Sequence, residues 1–129
     1  MMNLMIRKPS PVLADWIEQY WICEGYEPVH KMERKLPDPT LEWIINLNED
    51  RIRVYEKDCP GKFETLPGNI LVGPQSHPYL LDTACQMACM GIQFKPGGAF
   101  SFFGRLVGET KDLNLPVKEG WTGADADDL

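Results

Sequence analysis

From residue 41 to residue 47 apolar and polar side chains alternate, with Leu41, Trp43, Ile45 and Leu47 on one side of an extended chain and Glu42, Ile44 and Asn46 on the other. A period of two predicts a strand. Similar patterning predicts strands over residues 20–23, 51–55, 69–72, 79–83 and 87–94, with Gly25 and Gly73-Pro74 as breaks. Asn48-Glu49-Asp50 is turn chemistry, so the strand at 41–47 and its successor at 51–55 are expected to form a hairpin. Cys59-Pro60-Gly61 reads as a further turn, and the stretch 57–66 as a loop with no assigned place.

Two segments change period. Ser10 offers a capping oxygen and Pro11 suits a first helical position, after which Val12, Leu13, Trp16, Ile17 and Tyr20 recur at helical spacing opposite Asp15, Glu18 and Gln19. A helix is predicted over residues 11–19. A second is predicted over 98–103, packing Phe100 and Phe103 on a sheet. Many short strands punctuated by Gly and Pro predict a mainly β fold, a cupin-like sandwich or partly open barrel of short antiparallel strands with a few short helices.

The run QFKPGG at 93–98 joins the longest strand to that second helix and raises the question of a phosphate-cradling loop. Such loops need several backbone amides aimed at one anion, in forms such as GxxxxGK[ST] or GxGxxG. Pro96-Gly97-Gly98 matches neither, and proline withdraws an amide donor. These three residues are expected to be a structural turn in which Gly97 or Gly98 takes a positive φ.

A chain of 129 residues suits one domain burying roughly two-thirds of its unfolded surface. Thirteen Lys and Arg against nineteen Asp and Glu give a formal charge of -6, the wrong sign for direct nucleic-acid binding by this segment. Cys23, Cys59, Cys85 and Cys89 form no CxxC pair and are expected to be reduced structural thiols. His30 and His77 have no acidic or thiol neighbour at metal-ligand spacing, so neither a metal nor another cofactor is expected. No leader and no apolar run able to span a bilayer is evident, which makes a cytoplasmic chain without a membrane partner the expectation.

Four stretches together, LPDPTLEWIINL at 36–47, GNILVGPQ at 68–75, GIQFKPGGAFSFFG at 91–104 and DLNLPVKEGWTGADADDL at 112–129, resemble the N-terminal regulatory domain of AraC-type transcriptional regulators. Pro39 departs from that pattern, standing where the family usually has glycine. The resemblance implies a cupin-like sensor domain over residues 1–111 that binds a small-molecule effector. It also implies a docking segment over 112–129 that begins a linker to a C-terminal DNA-binding domain with two helix-turn-helix units. That region is absent here, so the expectation is an excised sensor domain or a truncated relative.

The expected function is therefore ligand sensing without catalysis. Candidate cavity residues are Glu42 and Asn46 on the minor face of their strand, His77 and Tyr79 near a strand mouth, and Gln93 on the long strand. Trp121, with Leu115 and Val117, is the candidate anchor of the C-terminal segment. A solvated face for Glu42 and an ordinary loop position for His77 are the plainer alternatives. A cupin-type enzyme would need a compact His/Glu ligand set, which two histidines poorly supply. A dimerisation or interaction module without ligand is the other alternative, and a homodimer stays open as an assembly.

Overall fold

In the computed structural model, which describes residues 2–36, 38–56 and 59–117, the strands form two antiparallel sheets. Numbered along the chain, they are β1 (Asn3–Arg7), β2 (Ile17–Glu24), β3 (Met32–Lys35), β4 (Glu42–Asn46), β5 (Ile52–Glu56), β6 (Cys59–Leu66), β7 (Asn69–Val72), β8 (Tyr79–Asp82), β9 (Ala88–Phe94) and β10 (Asn114–Pro116). One sheet runs β1-β2-β9-β4-β7-β10 and the other β3-β8-β5-β6. The domain is a mainly β sandwich, as the strand-rich, Gly- and Pro-punctuated sequence predicts.

Alternation along β4 explains why the larger sheet is covered on both faces. Trp43 turns to one side, where it packs edge-on against Phe103 at 5.7 Å, in a cluster with Ile17, Leu71, Phe94 and Val117. Ile44 turns to the other side and meets Ile52, Leu66, Ile70 and Val72 between the sheets. The outer cluster is closed by α1 (Phe100–Phe103). Within it Phe103 is 0% exposed and Phe102 stacks at a tilt on Phe94, with 5.7 Å between ring centres. Phe100, expected against the sheet, is instead 59% exposed. A helical turn that aims residues 99, 102 and 103 at the sheet leaves residue 100 on the outer side.

Residues 11–16 are turns rather than a helix. Ser10 does start them, its carbonyl accepting from Leu13 N at 3.0 Å, but the chain is extended from Ile17 onward. Strand wins because β2 finds partners on both sides, β1 and β9, whereas Val12 on the supposed apolar face is 75% exposed.

Nor do residues 41–55 form a hairpin: β4 pairs with β7 and β9, while β5 pairs with β6 and β8. Asn46 makes the corner. Its buried amide donates to Arg51 O at 2.8 Å and its Oδ1 accepts from Asn48 N at 3.0 Å, so the chain leaves one sheet and enters the other. Residues 59–61, expected as a turn, lie inside β6. That strand is an edge, and Pro60 falls at the register shift between the Glu56–Cys59 and Tyr55–Phe63 pairs, where a proline is tolerated.

The corner after β9 is structural. Gly97 has φ +76, a left-handed conformation that side chains disfavour, with open space around it. Gly98 has no positive φ, yet a Cβ there would lie 2.0 Å from Trp16 O. One glycine is required by its dihedral and the other by the backbone packed against it.

Candidate ligand-binding site

Between the two sheets lies a cavity of about 470 Å³. Its apolar wall follows from the inward positions of alternating strands: Ile44, Ile70 and Val72 from the larger sheet, Ile52, Val54 and Leu81 from the smaller. Cys85 and Cys89 complete this part. Burial pushes both thiols up to about 11, so they stay protonated and behave as small apolar groups.

The opposite end is polar. Asp38, Thr40, Glu42, Gln75, Tyr79 and Asn114 line it, with Lys35 at its rim. The loop carrying Asp38 is held by a reciprocal backbone pair with Gln75, Asp38 N to Gln75 O at 3.1 Å and Gln75 N to Asp38 O at 2.8 Å. Pro39 does not prevent a tight turn here, because Asp38 Oδ1 accepts from Thr40 N at 2.8 Å and Thr40 Oγ1 at 2.7 Å.

Glu42 sits at the junction of the polar and apolar parts. Trp21 reaches it from two strands away: the register sets Trp21 on β2 opposite Gly91 on β9, and β9 lies between β2 and β4. A Cβ at Gly91 would fall 2.3 Å from the indole, so the glycine is the opening through which Trp21 crosses β9. Its Nε1 then donates to Glu42 Oε2 at 3.3 Å.

Burial pushes the Glu42 carboxyl above its ordinary value; Asp38 adds to that, while the Trp21 hydrogen bond and Lys35 oppose it. The Tyr79 phenol is pushed up to about 12 by burial and by the nearby Glu42 and Asp38 charges, so it stays a hydroxyl. Asn114 Oδ1 is buried without a hydrogen-bond partner. Lys35 is turned aside: with the Gln86 amide oriented to donate to Glu33 Oε2 at 2.9 Å, its oxygen accepts from Lys35 Nζ at 2.6 Å.

A second polar cluster has a structural task. Arg53 donates to Asp82, whose other oxygen accepts from Cys85 N at 3.0 Å and caps the 3-10 turn Thr83–Gln86. Burial alone would raise the Asp82 carboxyl, but the bonds from Arg53 and Cys85 outweigh it and hold the group below its usual value.

Of the candidate residues, the fold brings Glu42 and Tyr79 together in the cavity. Gln93 is paired opposite Glu42 but does not line it, Asn46 is the sheet-to-sheet corner, and His77 is exposed in the loop before β8. Trp121 lies outside the described residues. Its companions Leu115 and Val117 are described: Leu115 pairs with Leu71 as β10 joins β7, and Val117 is buried in the outer cluster. Sequence reasoning missed Trp21, Asp38, Lys35 and Asn114. For Trp21 a signal existed, a lone glycine in the middle of a strong strand. Among the described residues no group of three or more His, Cys, Asp or Glu side chains is placed to hold a metal ion, and no helix is long and apolar enough to cross a membrane.

No curated protein and no solved structure matches this chain. Residues 6–116 match a family described as a domain of unknown function, DUF6597, and the chain belongs to that family.

Proposed function

We propose that this domain is a small-molecule sensor, the ligand-binding part of an AraC-type transcriptional regulator, and that its ligand occupies the cavity between the sheets. The observation that carries the proposal is the cavity itself. At about 470 Å³ it falls within the roughly 300–1,000 Å³ usual for small-molecule sites, and it joins an apolar wall to a few convergent polar groups. The protonated state of Cys85 and Cys89 favours binding over thiol catalysis.

Transmission would run through β10. Asn114 lines the cavity, and the same strand pairs with β7, which supplies Ile70 and Val72 to the wall. Three residues on, Val117 is buried in the outer cluster. A ligand that prefers one seating of β10 shifts the population of the C-terminal segment by its difference in affinity for the two seatings. In an intact regulator that bias would pass to a DNA-binding domain, which must supply the nucleic-acid contacts because this segment carries a formal charge of -6.

A fragment screen read by methyl resonances tests the assignment. Binding fragments should shift Ile44, Ile70 and Leu81 together. Hits confined to the exposed side chains of β1, or an absence of hits, would count against a ligand site between the sheets.

A further inference from the structure

We infer that the ligand of this cavity is an organic cation, an ammonium-type head on an apolar body, with the head seated against Glu42 and Asp38. The inference rests on the sensor reading and specifies its ligand. Arg34 and Lys35 also line the cavity, yet among the described residues neither forms an ion pair with Glu42 or Asp38. Glu42 receives one hydrogen bond, from Trp21, and among the described residues no cation pairs with it. The bonds Asp38 accepts from Thr40 both fall on Oδ1, and Asn114 Oδ1 is buried without a partner.

Glu42 is half-buried and Asn114 Oδ1 fully so, while Asp38 is exposed at the mouth, and shielded acceptors are stabilised only by donors. An apolar ligand would leave them unsatisfied, and a carboxylate would meet two carboxylates of like charge. An ammonium group supplies several donors and the opposite charge, and charge-assisted hydrogen bonds are the stronger kind. Lys35 is engaged by Gln86 and Arg34 makes no ion pair with Glu42 among the described residues, which leaves the place before Glu42 to the ligand. Ile52, Ile70 and Leu81 form the wall on which an alkyl or aryl body would lie.

The groups facing Glu42 are Asp38 and Lys35, with the Tyr79 hydroxyl alongside. Burial favours the neutral Glu42 carboxyl, so cation binding should strengthen as pH rises through its raised pKa. An alkylammonium stays charged across that window, its pKa being near that of a lysine, about 10.4.

The test is calorimetric titration of the full chain at neutral pH with three probes of one shape: n-hexylamine, 1-hexanol and hexanoate. The amine should bind about tenfold or more tighter than the alcohol, and hexanoate weakest of the three. Glu42→Gln should erase most of that preference while leaving hexanol affinity within about twofold, since the amide keeps the shape and loses the charge. Asp38→Asn, on the exposed loop, should reduce the preference in the same direction and guards against a folding defect at position 42. Equal binding of amine and alcohol, a preference for hexanoate, or an unchanged preference in both variants would overturn the cation inference while leaving the cavity as a ligand site. If none of the three probes binds, both fail.

Discussion

Replacing Gly91 with Ala sets a methyl group against the Trp21 indole, 2.3 Å from Cε2 and 2.4 Å from Nε1, where ordinary contacts need about 3.5–4.0 Å. The indole must move by more than an ångström, and its 3.3 Å bond to Glu42 cannot survive that shift. Overpacking of this kind costs about 1–3 kcal/mol, and loss of a hydrogen bond to an acid adds about 1.5–3 kcal/mol where the acid is ionised. Against these stands a gain of about 0.5–1 kcal/mol from removing a glycine within a strand. The net expectation is a destabilisation of about 2–4 kcal/mol. The Trp21→Ala background isolates the cause, since the added methyl then meets no indole and should be neutral or slightly stabilising. Urea denaturation of the four proteins, followed by circular dichroism, should yield a coupling energy of about 2 kcal/mol or more between positions 21 and 91. If Gly91→Ala costs the same in both backgrounds, the indole does not cross β9 there and the geometry of Glu42 loses its support.

At the corner after β9, Gly97→Ala should cost about 1–2 kcal/mol through its left-handed backbone alone, while Gly98→Ala should cost about 3 kcal/mol through collision with Trp16 O; denaturation midpoints in the reverse order would contradict the assignment. Because the folded pKa of Glu42 is raised, stability should fall as pH rises from the unfolded value, about 4.3, through the folded one, and Glu42→Gln should flatten that fall in a melting-temperature series. Asp82 has the opposite sign: its folded pKa is lowered, so its contribution is present above the unfolded value, about 3.9, and lost as pH falls through the folded one. Asp82→Asn should therefore weaken the fold at neutral pH and have less left to lose in acid.

The strands legible in the sequence are those whose two faces meet different surroundings. β4 and β9 read clearly because one of their faces meets the aromatic outer cluster and the other the partly polar cavity wall, and Gly73-Pro74 marks the end of β7 without ambiguity. β1 carries no such signal, since all five of its residues are exposed, and β3 is four residues long, three of them charged. The apolar positions at 12, 13, 16, 17 and 20 fit a helix locally, but the decision belongs to pairing with β1 on one side and, on the other, with β9, which is distant in sequence. The mistaken hairpin has a similar origin: turn chemistry at 48–50 predicts a reversal, and nothing local says that β4 and β5 enter different sheets. In the cavity, Glu42 and Tyr79 were legible as polar residues on strand faces. Asp38, Lys35, Trp21 and Asn114 were not, because what unites them is the stacking of two sheets and one glycine opening.

The account stands or falls on whether a molecule between the sheets is felt at the C-terminal strand. Hydrogen exchange read by mass spectrometry, with and without a saturating fragment identified by the methyl screen, measures this. The account predicts slower exchange in β7 and β10, over residues 69–72 and 113–117, with little change in the edge strand β6. Protection that leaves residues 113–117 unchanged while a fragment occupies the cavity would contradict it.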